Sequence, residues 1–84
     1  MADLRPAVRQ FAERMEERLV ANDHKGGWKG CSDRYLLSKL TEEYVELFRA
    51  VEHESAERVA KEAADLANIA MMLADNALQW AEGG

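Results

Sequence analysis

The chain has 84 residues, of which 48% are hydrophobic and 32% charged, and a formal net charge of −5. We expect a chain of this length to form one domain, residues 1–84, whose small core is commonly supplemented by association with a second copy. The negative charge argues against direct binding to a nucleic-acid polymer or an anionic membrane. It does not exclude a polyanionic ligand, because divalent cations can bridge acidic protein groups to phosphate.

The cellular compartment is indicated by what the sequence lacks. Cys31 is the only cysteine, so the chain has no internal disulfide and a reducing environment is favoured. No apolar run approaches the length of a membrane span, and charged residues interrupt the N-terminal region where a signal peptide would need an apolar core. These features favour a cytoplasmic protein.

A first helix is predicted over residues 3 to about 22. Its apolar residues recur at three- and four-residue spacing: Leu4, Val8, Phe11, Met15 and Leu19. Pro6 lies in the first turn, where its missing N–H group costs little. We interpret this helix as a packing element, since its pattern is that of one buried face.

The segment from Asn22 to Cys31 is a glycine-rich loop, and its glycines permit tight turns and close approach to a ligand. Trp28 in this loop is either a hydrophobic plug that docks the loop or a ring that stacks on a base. Lys25 and Lys29 can approach the phosphates of a ligand, although isolated lysines are more often only solvated. The loop is therefore a candidate substrate-binding segment.

Two further helices follow, and Ser32 and Ser55 are suitable N-cap residues for them. We expect these helices to end near Glu52 and Trp80. The apolar face of the second is predicted to be Leu36, Leu37, Leu40, Tyr44, Leu47, Phe48 and Val51. The buried face of the third is predicted to be Val59, Ala63, Leu66, Ala70, Leu73 and Ala77. Because only His53-Glu54-Ser55 separates the two helices, an antiparallel hairpin is expected in an all-α fold.

Each helix of the predicted hairpin carries two carboxylates at i, i+3 spacing, which lie one turn apart on one side of a helix. In an antiparallel hairpin that turns at residue 54, Glu43 faces Asp65 and Glu46 faces Glu62. Helical phase puts Glu43 at the rim of the apolar face and Glu46 roughly 60° further round. Four converging carboxylates repel one another unless a cation neutralises them.

This cluster predicts a metal site made of oxygen ligands, which suits Mg²⁺ or Mn²⁺ rather than Zn²⁺. A solvated acidic surface is the alternative interpretation. In the absence of a cation, Glu46→Gln or Glu62→Gln is expected to relieve repulsion. Glu42 points away from the cluster and serves as a control.

The two motifs, Glu42-Glu43-x-x-Glu46 and Lys61-Glu62-x-x-Asp65, resemble the signature of the MazG-like nucleotide pyrophosphohydrolases. That family belongs to the all-α NTP pyrophosphatase superfamily, together with the dimeric dUTPases and the phosphoribosyl-ATP pyrophosphatases. The resemblance extends from about residue 32 to residue 75. It implies that the catalytic Mg²⁺ ligands are Glu43, Glu46, Glu62 and Asp65. Lys61 and Asn68 match positions associated with the motif, which makes them candidate substrate contacts.

The resemblance further implies hydrolysis of a (deoxy)nucleoside triphosphate to the monophosphate and pyrophosphate, for instance in the removal of non-standard nucleotides. Glu43 or Glu46 would orient the attacking water. Alternative substrates are dUTP and phosphoribosyl-ATP, and the competing class is a non-enzymatic helical interaction module. The alanine-rich third helix leaves apolar surface that one chain does not cover, so we expect a homodimer or a dimer of dimers that completes a four-helix bundle.

Overall fold

The computed structural model describes residues 3–23, 26–53 and 55–83, and they form three helices without a strand. The helices are α1 (Pro6–Ala21), α2 (Asp33–His53) and α3 (Ala56–Gly83). The predicted all-α fold is confirmed. The helix bounds differ from the predicted ones by at most three residues: α1 begins at Pro6 rather than at residue 3, and α3 continues three residues beyond Trp80.

The helix starts follow local sequence signals. Pro6 occupies the first turn of α1, where no intrahelical partner for an N–H group exists. The Ser32 hydroxyl accepts a hydrogen bond from the Tyr35 backbone N–H at 3.1 Å. The Ser55 hydroxyl accepts one from the Arg58 N–H at 3.3 Å. Both predicted serine caps are therefore confirmed, and each satisfies a backbone donor that the first helical turn leaves free.

The third helix is the centre of the fold. It packs along α2 as the predicted hairpin, and α1 packs against it as well. Within the described residues, α1 and α2 make no comparable contact with each other. The most buried apolar side chains are Leu36 and Ala50 of α2 and Ala64 of α3. Small side chains at these contacts let the helix axes approach closely. The resulting core is small, as the chain length predicts.

The predicted helix faces need correction. On α3 the fully buried residues are Glu62, Ala64 and Asn68, whereas Ala70 and Ala77 are exposed. The buried face is rotated from the predicted one because α3 packs against two helices on different sides, and the apolar periodicity alone describes only one direction.

Four of the seven residues of the predicted apolar face of α2 are exposed in the single chain. We call this set the α2 stripe: Leu37, Tyr44, Phe48 and Val51, each more than half exposed. Tyr44 and Phe48 contact each other with ring centroids 6.4 Å apart. The side of α2 that faces α3 is the neighbouring one, which carries Leu36 and Ala50. None of the helices that the structure describes combines the length and apolarity needed to cross a bilayer.

Candidate metal and nucleotide site

Three of the four predicted carboxylates meet between α2 and α3. One carboxylate oxygen from each of Glu43, Glu62 and Asp65 lies within 4.8 Å of the other two. Glu43 comes from α2 and the other two come from α3, where their i, i+3 spacing places them one turn apart. The antiparallel hairpin thus brings together residues that the motif spacing predicted to meet. We call these three residues the acidic cluster.

Glu62 is the most buried member of the cluster, with 3% of its surface exposed. A buried carboxylate needs a partner of opposite charge or a ligand. Lys61 Nζ lies 3.2 Å from one of its oxygens and Arg58 Nη2 lies 3.7 Å from the other. Both cations come from α3 itself, so the negative charge of Glu62 is balanced locally.

Asp65 is paired with a residue of α1. Arg18 Nε donates a hydrogen bond to Asp65 Oδ1 at 2.8 Å, and Arg18 Nη2 donates one to Oδ2 at 3.4 Å. Lys61 Nζ lies 3.8 Å from Oδ2 as well. The hydrogen bond to Asp65 raises the pKa of the Arg18 guanidinium, with weaker contributions from the charges of Asp65, Glu62 and Glu43. Arg18 therefore brings a positive charge into the acidic cluster.

Glu43 is the member without an ion pair among the described residues. Burial raises the pKa of the Glu43 carboxyl, and the charges of Asp65, Glu62 and Glu46 raise it further. Lys39 opposes this shift. Because its charged form is disfavoured, Glu43 is where the cluster retains uncompensated repulsion.

Glu46, the fourth predicted ligand, lies outside the group of three. Its side chain is 43% exposed, and its carboxylate lies 3.9 Å from Arg49 Nη1 on the same helix. Residues three positions apart are rotated by roughly 60° about a helix, and α3 packs on the side of α2 that carries Glu43, so Glu46 lies at the edge of that side. Glu46 is still near enough for its charge to raise the pKa of Glu43.

A cavity of about 300 Å³ opens beside the cluster. Its lining combines Arg18, Glu43, Asp65 and Asn68 with the glycine-rich loop, including Trp28. This arrangement places carboxylates, a guanidinium and an aromatic ring around one space. Such a combination suits a ligand that has both phosphates and a planar ring.

The loop is held over this cavity by two hydrogen bonds to α3. Trp28 Nε1 donates to Asp75 Oδ2 at 3.0 Å, and Asn76 Nδ2 donates to the Trp28 carbonyl oxygen at 3.0 Å. Gly26 has a φ of +87°, a conformation that favours glycine. The Trp28 side chain thus docks the loop and lines the cavity at the same time.

The other predicted substrate contacts have different positions. Lys61 lies at the cluster, where it pairs with Glu62 and Asp65. Asn68 is 4% exposed, and its Nδ2 donates to the Met15 carbonyl oxygen at 2.9 Å. Its Oδ1 is buried, and no residue that the structure describes donates a hydrogen bond to it. Lys25 lies outside the described residues.

The family of the chain is shown by its match to a protein-family model. A model of the family described as phosphoribosyl-ATP pyrophosphohydrolase matches residues 8–77. The chain belongs to this family. The family is a member of the all-α MazG-like NTP pyrophosphatase superfamily, so the resemblance seen in the motifs is confirmed. No curated protein and no solved structure matches the chain.

Family membership makes the chain a pyrophosphohydrolase that acts on a nucleotide. The residues present fit a divalent cation, because three carboxylates supply the oxygen ligands that Mg²⁺ and Mn²⁺ prefer. The unpartnered Asn68 Oδ1 adds a further oxygen beside the same cavity. A cation must nevertheless compete with Arg18, Arg58 and Lys61, which already neutralise two of the carboxylates.

Sequence reasoning missed Arg18, Asp75 and Asn76 as members of the site. Arg18 lies on α1, which the sequence indicated only as a packing helix, but it follows Met15 and precedes Leu19 at the edge of the apolar pattern. A long cationic side chain at that edge was an available signal for a pair with a buried acid on the neighbouring helix. No local pattern connects Trp28 with Asp75, which is 47 positions away.

Proposed function

We propose that this protein is a Mg²⁺- or Mn²⁺-dependent pyrophosphohydrolase that converts a nucleoside triphosphate, or a nucleotide carrying a triphosphate, to the monophosphate form and pyrophosphate. The observation that carries the proposal is the convergence of Glu43, Glu62 and Asp65 within 4.8 Å beside a cavity lined by Trp28. A solvated acidic surface would not bury Glu62 to 3% exposure.

In this proposal the acidic cluster holds the cation. A divalent cation bound there would supply charge neutralisation for an anionic substrate and an anionic nucleophile. The water oxygen adds to the α-phosphorus, the bond from that phosphorus to the α,β-bridging oxygen breaks, and pyrophosphate leaves. Glu46 lies one turn from Glu43 and is half-exposed. It either completes the ligand set after a side-chain rotation or accepts the proton of the attacking water.

Trp28 and the loop are proposed to hold the base. The hydrogen bond from Trp28 Nε1 to Asp75 restrains the indole beside the cavity that it lines, and a restrained ring loses less conformational entropy when a base stacks on it. Lys61 and Asn68 are proposed to contact the phosphates or the ligands around them, and Lys25 is retained as a candidate from the sequence alone.

The substrate is proposed to be a nucleoside triphosphate, with phosphoribosyl-ATP as the second candidate. The second candidate is favoured by the description of the matching family. A panel of standard and non-standard deoxynucleotides, dUTP and phosphoribosyl-ATP, assayed for pyrophosphate release with Mg²⁺, Mn²⁺ or chelator, tests both. Glu62→Gln should be inactive and Glu42→Gln active. If no nucleotide releases pyrophosphate with either cation, the protein is a non-enzymatic interaction module.

We also propose that the protein acts in the cytoplasm as a homodimer or a dimer of dimers. The α2 stripe exposes two aromatic and two aliphatic side chains along one side of the helix, a larger contiguous apolar surface than isolated exposed residues provide. A second copy that covers this stripe with its own would form the four-helix bundle.

A further inference from the structure

Arg18 is the cationic side chain that enters the site from α1. Its guanidinium uses two nitrogen atoms on the two oxygens of Asp65, at 2.8 and 3.4 Å. The pair is largely shielded from solvent, with 27% of the Arg18 side chain and 15% of the Asp65 side chain exposed. Arg18 also lines the cavity in which the nucleotide is proposed to bind.

The position of Arg18 creates a competition. A divalent cation that binds Asp65 approaches the same two oxygens that accept hydrogen bonds from the guanidinium. Two positive groups at one carboxylate repel each other, and this repulsion is strong where solvent is partly excluded. This repulsion favours movement of the guanidinium away from Asp65 when the cation binds, and the cavity that Arg18 lines is the adjacent space.

We propose that Arg18 is a counter-ion which the divalent cation displaces from Asp65, and that the released guanidinium then contacts the phosphates of the bound nucleotide. This inference rests on the proposed function. A guanidinium presents five N–H donors in a planar fork, so it can exchange one bidentate oxyanion partner for another. The exchange keeps Arg18 paired in both states, which avoids leaving a charge unpaired in the site.

A purely structural role for Arg18 is the competing explanation, because the pair also ties α1 to α3. The chain offers a matched control for this role one turn earlier. Arg14 makes a similar two-nitrogen contact with Glu57 of α3, at 3.2 and 3.3 Å. That pair is exposed and does not line the cavity. Both arginines connect the same two helices, but only Arg18 reaches the acidic cluster.

Isothermal titration of Mg²⁺ and of Mn²⁺ into the nucleotide-free protein tests the first half of the proposal. Arg18→Met keeps the length of the side chain but removes its charge and its donors. It should bind the cation on the order of threefold to tenfold more tightly than wild type, because a competitor has been removed. Arg14→Met should bind it as wild type does.

Titration of α,β-methylene ATP into the protein saturated with the cation tests the second half. Arg18→Met should bind this uncleavable analogue about tenfold more weakly, since a charge-assisted contact to phosphate is lost. Arg14→Met should again match wild type. Tighter cation binding together with weaker nucleotide binding is a pair of opposite effects that a merely structural residue does not produce.

Unchanged or weaker cation binding in Arg18→Met, or unchanged binding of the analogue, overturns the proposal. If circular dichroism shows that Arg18→Met is unfolded, Arg18→Lys takes its place, because it keeps the charge and loses the fork. It should show the same two signs with smaller changes, and wild-type affinities in Arg18→Lys would then overturn the proposal. If wild-type protein itself binds no cation, the proposed function fails first, and that result is separate from any effect of Arg18.

Discussion

Glu43→Gln should stabilise the protein in the absence of divalent cation. The glutamine keeps the shape of the side chain and deletes the one cluster charge that has no ion pair within the part of the chain that the structure describes. Sequence reasoning assigned this effect to Glu46→Gln and Glu62→Gln. The structure favours Glu43 instead, because Glu62 is paired with Lys61 and Arg58.

The size of the effect follows from the separation of the charges. Two unit charges at 4.8 Å repel by about 0.9 kcal/mol at a dielectric constant of ~80 and by about 3.5 kcal/mol at ~20. Glu62 and Asp65 are largely neutralised by their cations, so we expect a gain near the lower value, about 1 kcal/mol. For a domain of this length, such a gain raises the Tm by about 4–8 °C.

The sign of the pH dependence provides a second check. Because the pKa of Glu43 is raised in the folded state, its ionisation costs stability as the pH rises through that pKa, and the cost is absent at low pH where the carboxyl is protonated. The stability advantage of Glu43→Gln should therefore be full at neutral pH and should disappear as the pH falls below the usual glutamate range.

Thermal denaturation in chelator, at fixed protein concentration, measures this difference. Glu42→Gln is the control, since the Glu42 side chain is 62% exposed and its carboxylate pairs with Lys39 of the same helix rather than joining the cluster. Addition of Mg²⁺ should raise the Tm of wild type and of Glu42→Gln more than that of Glu43→Gln, because binding to the folded state stabilises it. If Glu43→Gln melts no higher than Glu42→Gln in chelator, or gains as much from Mg²⁺, the reasoning about the cluster is refuted.

Three further outcomes are expected. Trp28→Ala should weaken nucleotide binding by about 1–3 kcal/mol without changing cation affinity. Trp80→Ala, which removes an indole outside the cavity lining, should leave nucleotide binding unchanged. If calorimetry gives Trp28→Ala the nucleotide affinity of wild type, Trp28 has a purely structural role. Asp75→Ala should raise KM more than it lowers kcat, because the indole loses its anchor, and an unchanged KM would contradict this. Phe48→Glu should convert a dimer or tetramer into monomers in light scattering, since it places a charge in the α2 stripe; an unchanged mass would exclude that stripe as the interface.

Much of the fold was readable in the sequence because its signals are local. The serine caps, the proline in the first turn and the 3.6-residue apolar period act within a few residues of one another. The short connection after His53 left the hairpin as the simple way to bury two apolar faces. Once the hairpin was expected, the meeting of Glu43 with Asp65 followed from counting residues away from the turn, and the structure places their oxygens within 4.8 Å.

Which carboxylates of α2 join the cluster was decided only by the tertiary structure. The sequence showed that Glu46 points roughly 60° away from Glu43, but only the direction from which α3 packs decides which of the two faces the cluster. The direction of packing also determined which apolar side of α2 is buried: Leu36 is buried, whereas Tyr44 and Phe48 are exposed.

Local sequence signals also did not determine where α1 packs. Its packing against α3 brings Arg18 onto Asp65 and the Met15 carbonyl onto Asn68, across 47 and 53 positions of the chain. Contacts at such separations depend on the angle and register of two packed helices, and many residues contribute to these small energy differences at once. The sequence determined which carboxylates the site contains, and helix packing determined that Arg18 and the loop around Trp28 complete it.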